Sequence, residues 1–241
     1  MKIIQSNLLK NFLNISHCFT TKKIGNLAFH VNDTTHNVIL NHTSLAKTMK
    51  YDKNSLVHMK QIHSSNVHIV NITDNFANPP ECDALLTNKK NTPLMVMVAD
   101  CSPILFYDSI KNVIGVAHAG RQGAFKNIIK NTLLNMNNNF SSDLQDVFVS
   151  IGASIGVCCY EVGEEIYKES LRLNFEYAIQ IRENRYYLNI AKILYMQLIE
   201  SGIKENHIDI SKECTCCLKE KYYSYRAQAS TGRFCGVITL T

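Results

Sequence analysis

The segment LMVMVADCSPILFYDSIKNVIGVAHAG, residues 94–120, contains three short apolar runs separated by polar residues. The runs are Leu94–Ala99, Ile104–Tyr107 and Val113–Ala117. Short runs rich in valine and isoleucine, bounded by polar residues, are typical of buried strands. Because these strands follow one another with no helix between them, the segment does not fit a regular alternation of strand and helix. It predicts neighbouring strands in a mixed sheet or in two packed sheets.

The same kind of pattern predicts further elements on both sides of this segment. Four more strands are expected at Leu56–Met59, Val67–Ile72, Val147–Ile151 and Gly236–Leu240. Three helices are expected at Thr35–Met49, Gln122–Met136 and Asn189–Glu200. The last two helices place apolar residues along one face at helical spacing. The predicted fold class is α/β (α+β): a single-domain layered sandwich over residues 1–241, with mixed β-sheets covered by helices.

The composition is that of an ordinary folded chain of 241 residues, of which 46% are hydrophobic and 19% are charged. The net charge of +5 is spread along the chain, so we expect no nucleic-acid partner. The longest apolar run, Pro93–Tyr107, is broken by Asp100 and is shorter than the ~20 residues of a membrane-spanning helix. Lys10 interrupts the N-terminal segment before the apolar region of a signal peptide can form. We expect a cytoplasmic protein with no membrane partner, whose nine cysteines are thiols.

Three residues that can bind a metal lie at the ends of predicted strands: Cys101, His118 and His63. Functional side chains concentrate at strand ends, because the backbone there is accessible while the strand beneath is rigid. Two histidines and one cysteine can bind Zn²⁺ tetrahedrally and leave the fourth position for water or substrate. Copper binds the same ligand types. The trio also suits a cysteine nucleophile with a histidine base, so these residues are the candidate catalytic and metal-binding residues.

Arginines beside glycines are the candidates for binding an anion. Arg121 lies between Gly120 and Gly123 at the start of the second predicted helix, where free N–H groups favour an anion. Arg226 and Arg233 lie in two segments near the C-terminus, SYR and TGR. Guanidinium groups match the geometry of phosphate. These three arginines therefore form the predicted phosphate-binding set.

A second group of cysteines lies in two short segments, Cys158-Cys159 and Cys214-x-Cys216-Cys217. Structural zinc sites commonly use cysteines with C-x₂₋₄-C spacing. Adjacent cysteines, by contrast, do not easily bind the same ion. We therefore expect these residues to pack as ordinary thiols.

Seven motifs occur in the order in which they are found in a known family. They are QIH (61–63), DALLT (83–87), VADCSPIL (98–105), HAG (118–120), IGASIGVCCYEVG (151–163), SYR (224–226) and TGR (231–233). In these motifs the chain resembles the YfiH-type laccase-domain family. Members of that family are described as polyphenol oxidases, purine nucleoside phosphorylases or a peptidoglycan editing factor. The resemblance extends from about Phe19 to the last residue.

The resemblance implies a cytosolic metal-dependent enzyme with a YfiH-like layered fold. The family's zinc ligands correspond to His63, Cys101 and His118. The candidate residues for binding substrate or phosphate also include Gln61 and Lys22. Lys22 stands in the segment where the family has a Thr-x-Arg-like sequence, and a lysine holds phosphate as a point charge. The family's usual HAGWRG turn reads HAGRQG at residues 118–123.

The activity that the resemblance implies is phosphorolysis of purine nucleosides. The substrates are adenosine, inosine, guanosine and S-methyl-5′-thioadenosine, and adenosine deamination occurs alongside. The expected partners are therefore purine nucleosides and phosphate. The chain is expected to act as a monomer or homodimer.

Other functions fit the same residues. An amidase that edits peptidoglycan precursors could use zinc or the Cys101 thiol, and a binding module without activity is a further alternative. Laccase chemistry fits poorly, because multicopper oxidases hold their trinuclear cluster with several His-x-His pairs. The nine histidines of this chain include no such pair. Copper-dependent polyphenol oxidation is therefore expected only as a side reaction.

Overall fold

The structure is a computed structural model that describes residues 2–241. Within this range five α-helices form: α1 (Thr35–Met49), α2 (Arg121–Phe125), α3 (Ile128–Phe140), α4 (Glu164–Arg172) and α5 (Ile190–Glu200). The same residues form thirteen strands: β1 (Ile3–Ile4), β2 (Ile15–Thr20), β3 (Val67–Ile69), β4 (Ala84–Thr87), β5 (Leu94–Val98), β6 (Ser102–Asp108), β7 (Val113–Ala119), β8 (Val147–Ile151), β9 (Glu161–Val162), β10 (Ile179–Arg182), β11 (Arg185–Leu188), β12 (Ile208–Ile210) and β13 (Phe234–Leu240). None of the described helices has the length and apolar character needed to cross a bilayer.

The strands of residues 2–241 form three sheets. The largest has the order β12-β8-β6-β7-β4-β3 and is antiparallel at its centre. Its outer pairs, β12 with β8 and β3 with β4, are parallel. An antiparallel four-stranded sheet has the order β1-β2-β13-β5, and a small sheet has the order β10-β11-β9. This mixed pairing confirms the predicted fold class.

The two large sheets pack against each other, and helices cover their outer faces. Leu105 of β6 packs with Phe19 and Val96 of the four-stranded sheet. Ile104 and Phe106, its neighbours in β6, lie on the opposite face and pack with α3 and α5. On the far side, α1 covers the four-stranded sheet. Because successive residues of a strand point to opposite faces, a strand buried on both faces is apolar throughout, as residues 94–98 are.

The second predicted helix, Gln122–Met136, is divided into α2 and α3. Asn127, between them, has a φ of 57°, in the left-handed region. The Gln197 side chain of α5 donates hydrogen bonds to the Asn127 side-chain oxygen at 2.9 Å and to the Ala124 carbonyl at 2.8 Å. The break is therefore supported by a contact from a distant helix. The spacing of apolar residues within 122–136 gives no sign of this contact.

The other predicted elements differ in smaller ways. The first helix has the predicted bounds, and the third begins at Ile190, with the Asn189 side chain capping it. Leu56–Met59 is not a strand, since only Val57 of this segment makes a bridge pair with β5. The apolar pattern does not predict α4, whose sequence EEIYKESLR is mostly polar. It also misses β2, in which polar residues interrupt the apolar run.

Candidate metal centre and its cavity

Cys101 lies where the chain crosses from one large sheet to the other. β5 belongs to the four-stranded sheet and β6 to the six-stranded sheet, and only residues 99–101 connect them. Asp100, in this connection, has a φ of 86°. Its carboxylate accepts hydrogen bonds from the Thr215 hydroxyl and the Arg226 N–H, each at 2.6 Å. The crossover is thus held in an unusual conformation by side-chain contacts from the C-terminal segment.

His118 lies on β7, beside the start of β6. Its imidazole is buried, and Nδ1 lies 2.8 Å from Oδ1 of Asp83, the residue just before β4. An imidazole that donates from Nδ1 to a carboxylate presents the lone pair of Nε2. Carboxylates in this arrangement fix the tautomer and the ring orientation of histidines that bind metals. His118 is therefore oriented to use Nε2 as a ligand atom.

His63 lies in a bend with a φ of 56°, and Asp83 holds this bend as well. The His63 N–H donates to Oδ1 of Asp83 at 3.1 Å. The backbone N–H and the hydroxyl of Ser64 donate to Oδ2 at 2.6 and 2.7 Å. One fully buried carboxylate therefore positions two of the three predicted ligands.

Sequence reasoning assigned Asp83 no role beyond its place in a family motif. The available signal was an acidic residue directly before an apolar strand, a position where an unpaired charge would be costly to bury.

The structure brings the three predicted ligand residues together. The ligand atoms of His63, Cys101 and His118 all lie within 4.8 Å of one another. The two imidazole rings are 4.8 Å apart between centroids and nearly perpendicular, at 82°. A Cβ on Gly120 would lie 2.7 Å from the Cys101 sulfur, so this position requires glycine. Because Gly120 has no side chain, its backbone can lie close to the Cys101 sulfur without displacing the sulfur from the two imidazole rings.

Cys101 and His118 stabilise each other as a thiolate and an imidazolium, so a cation that binds here displaces the His118 proton. Burial alone would raise the pKa of the Cys101 thiol, but the charge of His118 and hydrogen bonds from both imidazoles lower it to about 6. Burial would lower the pKa of His118, but the Cys101 thiolate and the Asp83 carboxylate raise it to about 9. The sulfur is therefore stabilised as a thiolate, the form that binds metals.

A cavity of about 740 Å³ opens above the three residues. This volume lies within the range of about 300–1,000 Å³ that is usual for small-molecule sites. Its lining combines the three candidate ligand residues with three arginines and several apolar or aromatic side chains. The lining includes His63, Cys101, His118, Arg121, Arg226, Arg233, Phe29, Tyr160 and Tyr225.

The three predicted arginines line this cavity in different ways. Nη1 of Arg121 forms an ion pair with Glu169 at 2.9 Å. Arg226 donates to the carbonyls of Cys159 and Glu161 at 3.3 and 3.0 Å, and Arg233 donates to two carbonyls of its own turn. Within residues 2–241, neither Arg226 nor Arg233 has an ion-pair partner, so both keep an unneutralised positive charge at the cavity wall.

The other two predicted residues lie in different surroundings. Gln61 lines the cavity, but both ends of its amide are used. Nε2 donates to the Met97 carbonyl at 2.8 Å, and Oε1 accepts from the Met97 N–H at 3.0 Å. Lys22 is not among the lining residues, and its ammonium lies 5.3 Å from the centre of the Tyr223 ring. Binding roles for Gln61 and Lys22 stay predictions.

Comparison with known proteins identifies the family. The model of the family described as multi-copper polyphenol oxidoreductase laccase matches residues 17–241. The chain belongs to this family. Among curated relatives in the family, purine nucleoside phosphorylase YlmD of Bacillus subtilis (strain 168) is 30% identical over 240 residues. The alignment covers 91% of this chain and 86% of that protein. The resemblance predicted from the motifs is confirmed.

Solved structures similar to this family member share its fold over nearly the whole chain. The hypothetical protein YfiH of Bacillus licheniformis has a TM-score of 0.91 and 28% identity, and the match covers 97% of this chain and 96% of that one. YlmD from Geobacillus stearothermophilus has a TM-score of 0.87 and 27% identity, covering 95% and 93%. The layered architecture described above is therefore the architecture of these proteins.

Proposed function

We propose that this chain is a zinc-dependent purine nucleoside phosphorylase. Its substrates would be adenosine, inosine, guanosine and S-methyl-5′-thioadenosine, with adenosine deamination as a second activity. The relatives that carry the name purine nucleoside phosphorylase support this proposal. The observation on which it rests is that one cavity is lined by both the His63–Cys101–His118 group and unneutralised arginines. We place the activity in the cytoplasm, because a metal-binding thiolate requires reduced sulfur.

The ligand residues fit zinc. They offer two imidazole nitrogens and one thiolate, the donor types that zinc prefers, and no fourth protein ligand belongs to this group within residues 2–241. When bound at such an open site, zinc supplies a Lewis acid that polarises an oxygen atom of water or substrate. Cu²⁺ binds such donors more tightly than Zn²⁺ in vitro. We attribute any polyphenol oxidation to copper at the same three ligands.

Phosphorolysis forms a bond from a phosphate oxygen to C1′ of the ribose and breaks the bond from C1′ to the purine nitrogen. The electron pair of that bond leaves with the purine, which takes up a proton. Arg233 and Arg226 would hold the phosphate, because their charges are free and guanidinium groups bind phosphate through two parallel hydrogen bonds. Held in this way, the phosphate is oriented toward C1′ and loses little entropy at the reaction step.

The aromatic residues of the cavity suit the purine. Phe29 and Tyr225 line the cavity with exposed rings, 41% and 58% accessible, and offer faces on which a base can stack. Tyr160 also lines the cavity, and its phenol, which is protonated near neutral pH, can donate a hydrogen bond to the leaving base. Sequence reasoning assigned these three residues no role.

Removing the Arg233 guanidinium should weaken phosphate binding more than nucleoside binding. We expect Arg233→Ala to raise KM for phosphate by about 10- to 100-fold, the scale of one or two charged hydrogen bonds. Arg233→Lys should restore part of this loss, because a lysine supplies the charge without the planar fork. Deamination of adenosine uses no phosphate and should change little. Steady-state kinetics with phosphate and adenosine varied in turn would measure these effects.

The exposed arginine Arg172 provides a matched control for this experiment. Arg172→Ala should leave both KM values unchanged, because Arg172 ends α4 and does not line the cavity. An equal loss of phosphate and nucleoside binding in Arg233→Ala would contradict the assignment. That result would show that Arg233 acts only by holding the carbonyls of its own turn.

The function itself is tested by assaying products with a panel of nucleosides, with and without phosphate, on zinc-loaded protein. Adenosine with phosphate should yield adenine and ribose 1-phosphate, and adenosine alone should yield inosine and ammonia. A Cys101→Ala preparation purified in parallel controls for phosphorylases of the expression host. If adenosine and inosine both stay intact while a muropeptide amide is cleaved, the chain is an editing hydrolase and the proposal is wrong.

A further inference from the structure

A second group of ligand-type side chains lies apart from the His63–Cys101–His118 group. It consists of Cys158 and Cys159, in the turn that precedes β9, and Cys214 and Cys217, in the segment after β12. Their four sulfur atoms all lie within 4.8 Å of one another. The sequence predicted that these cysteines pack as ordinary thiols, and the structure shows in addition that their sulfurs lie in one cluster. The turn at residues 157–159 brings the adjacent sulfurs of Cys158 and Cys159 into the same cluster.

The distances fit a tetrahedral site better than disulfides. The Cys217 sulfur is 3.5 Å from the Cys158 sulfur and 3.4 Å from the Cys159 sulfur. Four sulfurs at ~2.3 Å from a zinc ion in tetrahedral geometry are ~3.8 Å apart. A disulfide would require a separation of ~2.05 Å, and all nine cysteines are free. The cluster therefore has nearly the dimensions of a tetrathiolate zinc site.

Backbone contacts hold the cluster in place before any ion binds. Ser154 and Cys214 form a bridge pair, and the Thr215 N–H donates to the Ser154 carbonyl at 3.0 Å. The Gly156 N–H donates to the Cys214 sulfur at 3.2 Å. Hydrogen bonds from N–H groups to a ligand sulfur orient it and favour its thiolate form. Cys214 and Cys217 also have the C-x₂-C spacing of structural zinc sites, a signal that the sequence contained.

The close spacing of the four cysteine sulfurs favours a bound cation. The four sulfur atoms lie within 4.8 Å of one another. Four adjacent thiols cannot all ionise, because their negative charges repel one another. A divalent cation removes this repulsion.

Two arginines lie beside the cluster, and Arg182, which does not line the cavity, would offset part of the remaining charge. One Zn²⁺ with four thiolates carries a net charge of −2, which favours positive groups nearby. Arg182 donates to the carbonyl of Val157 at 2.8 Å, and Arg226 donates to that of Cys159 at 3.3 Å. Both guanidinium groups thus lie against the backbone of the turn that contains Cys158.

We propose that Cys158, Cys159, Cys214 and Cys217 bind a second zinc ion, with four thiolate ligands and no open position. Such closed sites are structural. The ion would tie the turn before β9 to the segment after β12. These segments carry Tyr160 at the cavity and Thr215, which holds Asp100 beside Cys101. The second ion would therefore support one wall of the cavity and the crossover that presents Cys101. The inference does not depend on the proposed activity.

Metal analysis of four purified proteins tests this site. Wild type should contain about two zinc ions per chain, and Cys101→Ala and Cys217→Ser about one each. Cys216→Ser is the matched control, because Cys216 lies in the same segment but outside the group of four sulfurs. It should keep the wild-type content. Equal zinc in wild type and Cys217→Ser, or loss of an ion in Cys216→Ser, would overturn the assignment.

A second measurement keeps the test decisive if Cys217→Ser does not fold. Cys101→Ala protein, which retains only the four-cysteine group, is loaded with Co²⁺ in place of zinc. We expect strong sulfur-to-cobalt charge-transfer absorption and the visible bands of tetrahedral cobalt. Absence of these bands, or disulfides among the four cysteines by mass spectrometry of protein purified under reducing conditions, would show that the cluster is not a metal site.

Discussion

Cys101→Ala is expected to abolish both proposed activities and to lose one zinc ion per chain relative to wild type. The variant leaves two imidazoles without the thiolate that offsets the charge of the ion, and two neutral ligands hold zinc poorly. Activity should fall by at least about 100-fold, the scale on which loss of one preorganised electrostatic group acts. Metal analysis and the nucleoside product assay measure the two effects on the same preparation.

Alkylation with and without zinc separates the metal-binding role of Cys101 from the alternative role of a nucleophile. If Cys101 binds zinc, the metal should protect the Cys101 thiol from alkylation, and removal of the metal should expose it. If Cys101 is a nucleophile with His118 as its base, alkylation of Cys101 inactivates the protein at all metal concentrations. Cys18→Ala is the matched control, because Cys18 is a fully buried thiol on β2, outside both sulfur-containing groups.

Asp83→Asn is expected to weaken zinc binding at the His63–Cys101–His118 group by about 10- to 100-fold, the usual effect of removing a partner of a ligand. Oδ1 of Asp83 accepts from His63 and His118, and Oδ2 accepts from Ile62 and Ser64. An asparagine side chain would turn an NH₂ group toward one of these two sets of donors. Either orientation moves a histidine or the bend that carries one. Competition with a chromophoric chelator measures the affinity.

Asp108 provides a matched control for Asp83. It is also a fully buried aspartate, but it lies at the end of β6 opposite to Cys101. One oxygen accepts from the N–H groups of Ile110 and Lys111 at 2.9 Å, and the other has no hydrogen-bond partner among the described residues. Asp108→Asn keeps these two bonds and should leave zinc affinity unchanged. Unchanged affinity in Asp83→Asn as well would show that Asp83 does not position the ligands.

Local sequence patterns predicted those helices and strands whose formation depends on residues close together in the chain. The strands within residues 94–120, helix α1 and the mixed sheets follow from runs of apolar residues, because burial on a sheet or helix face demands them. Elements that depend on distant contacts were missed. The break at Asn127 is supported by Gln197 on α5, and β2 is buried between two strands despite its polar residues.

The candidate site shows the same division. Strand ends and residue types selected His63, Cys101 and His118, and the structure places their ligand atoms together. Asp83 was missed because its role depends on hydrogen bonds from residues 62–64 and from His118, which are distant from it in the chain. The residues next to Asp83 in the sequence give no sign of these bonds. The sequence did not show that the sulfurs of Cys158 and Cys159 lie close to those of Cys214 and Cys217, because this proximity depends on the turn at residues 157–159 and on the packing of two distant segments.

The amino-acid sequence alone determined the fold class, the family and the three residues of the candidate metal centre, since each of these depends on residue type and order. The tertiary structure decided which carboxylate orients two histidines, which arginines keep a free charge at the cavity, and that four cysteines from two segments form one cluster. Distances between residues far apart in the chain follow from how sheets and turns pack. No single segment of sequence encodes them.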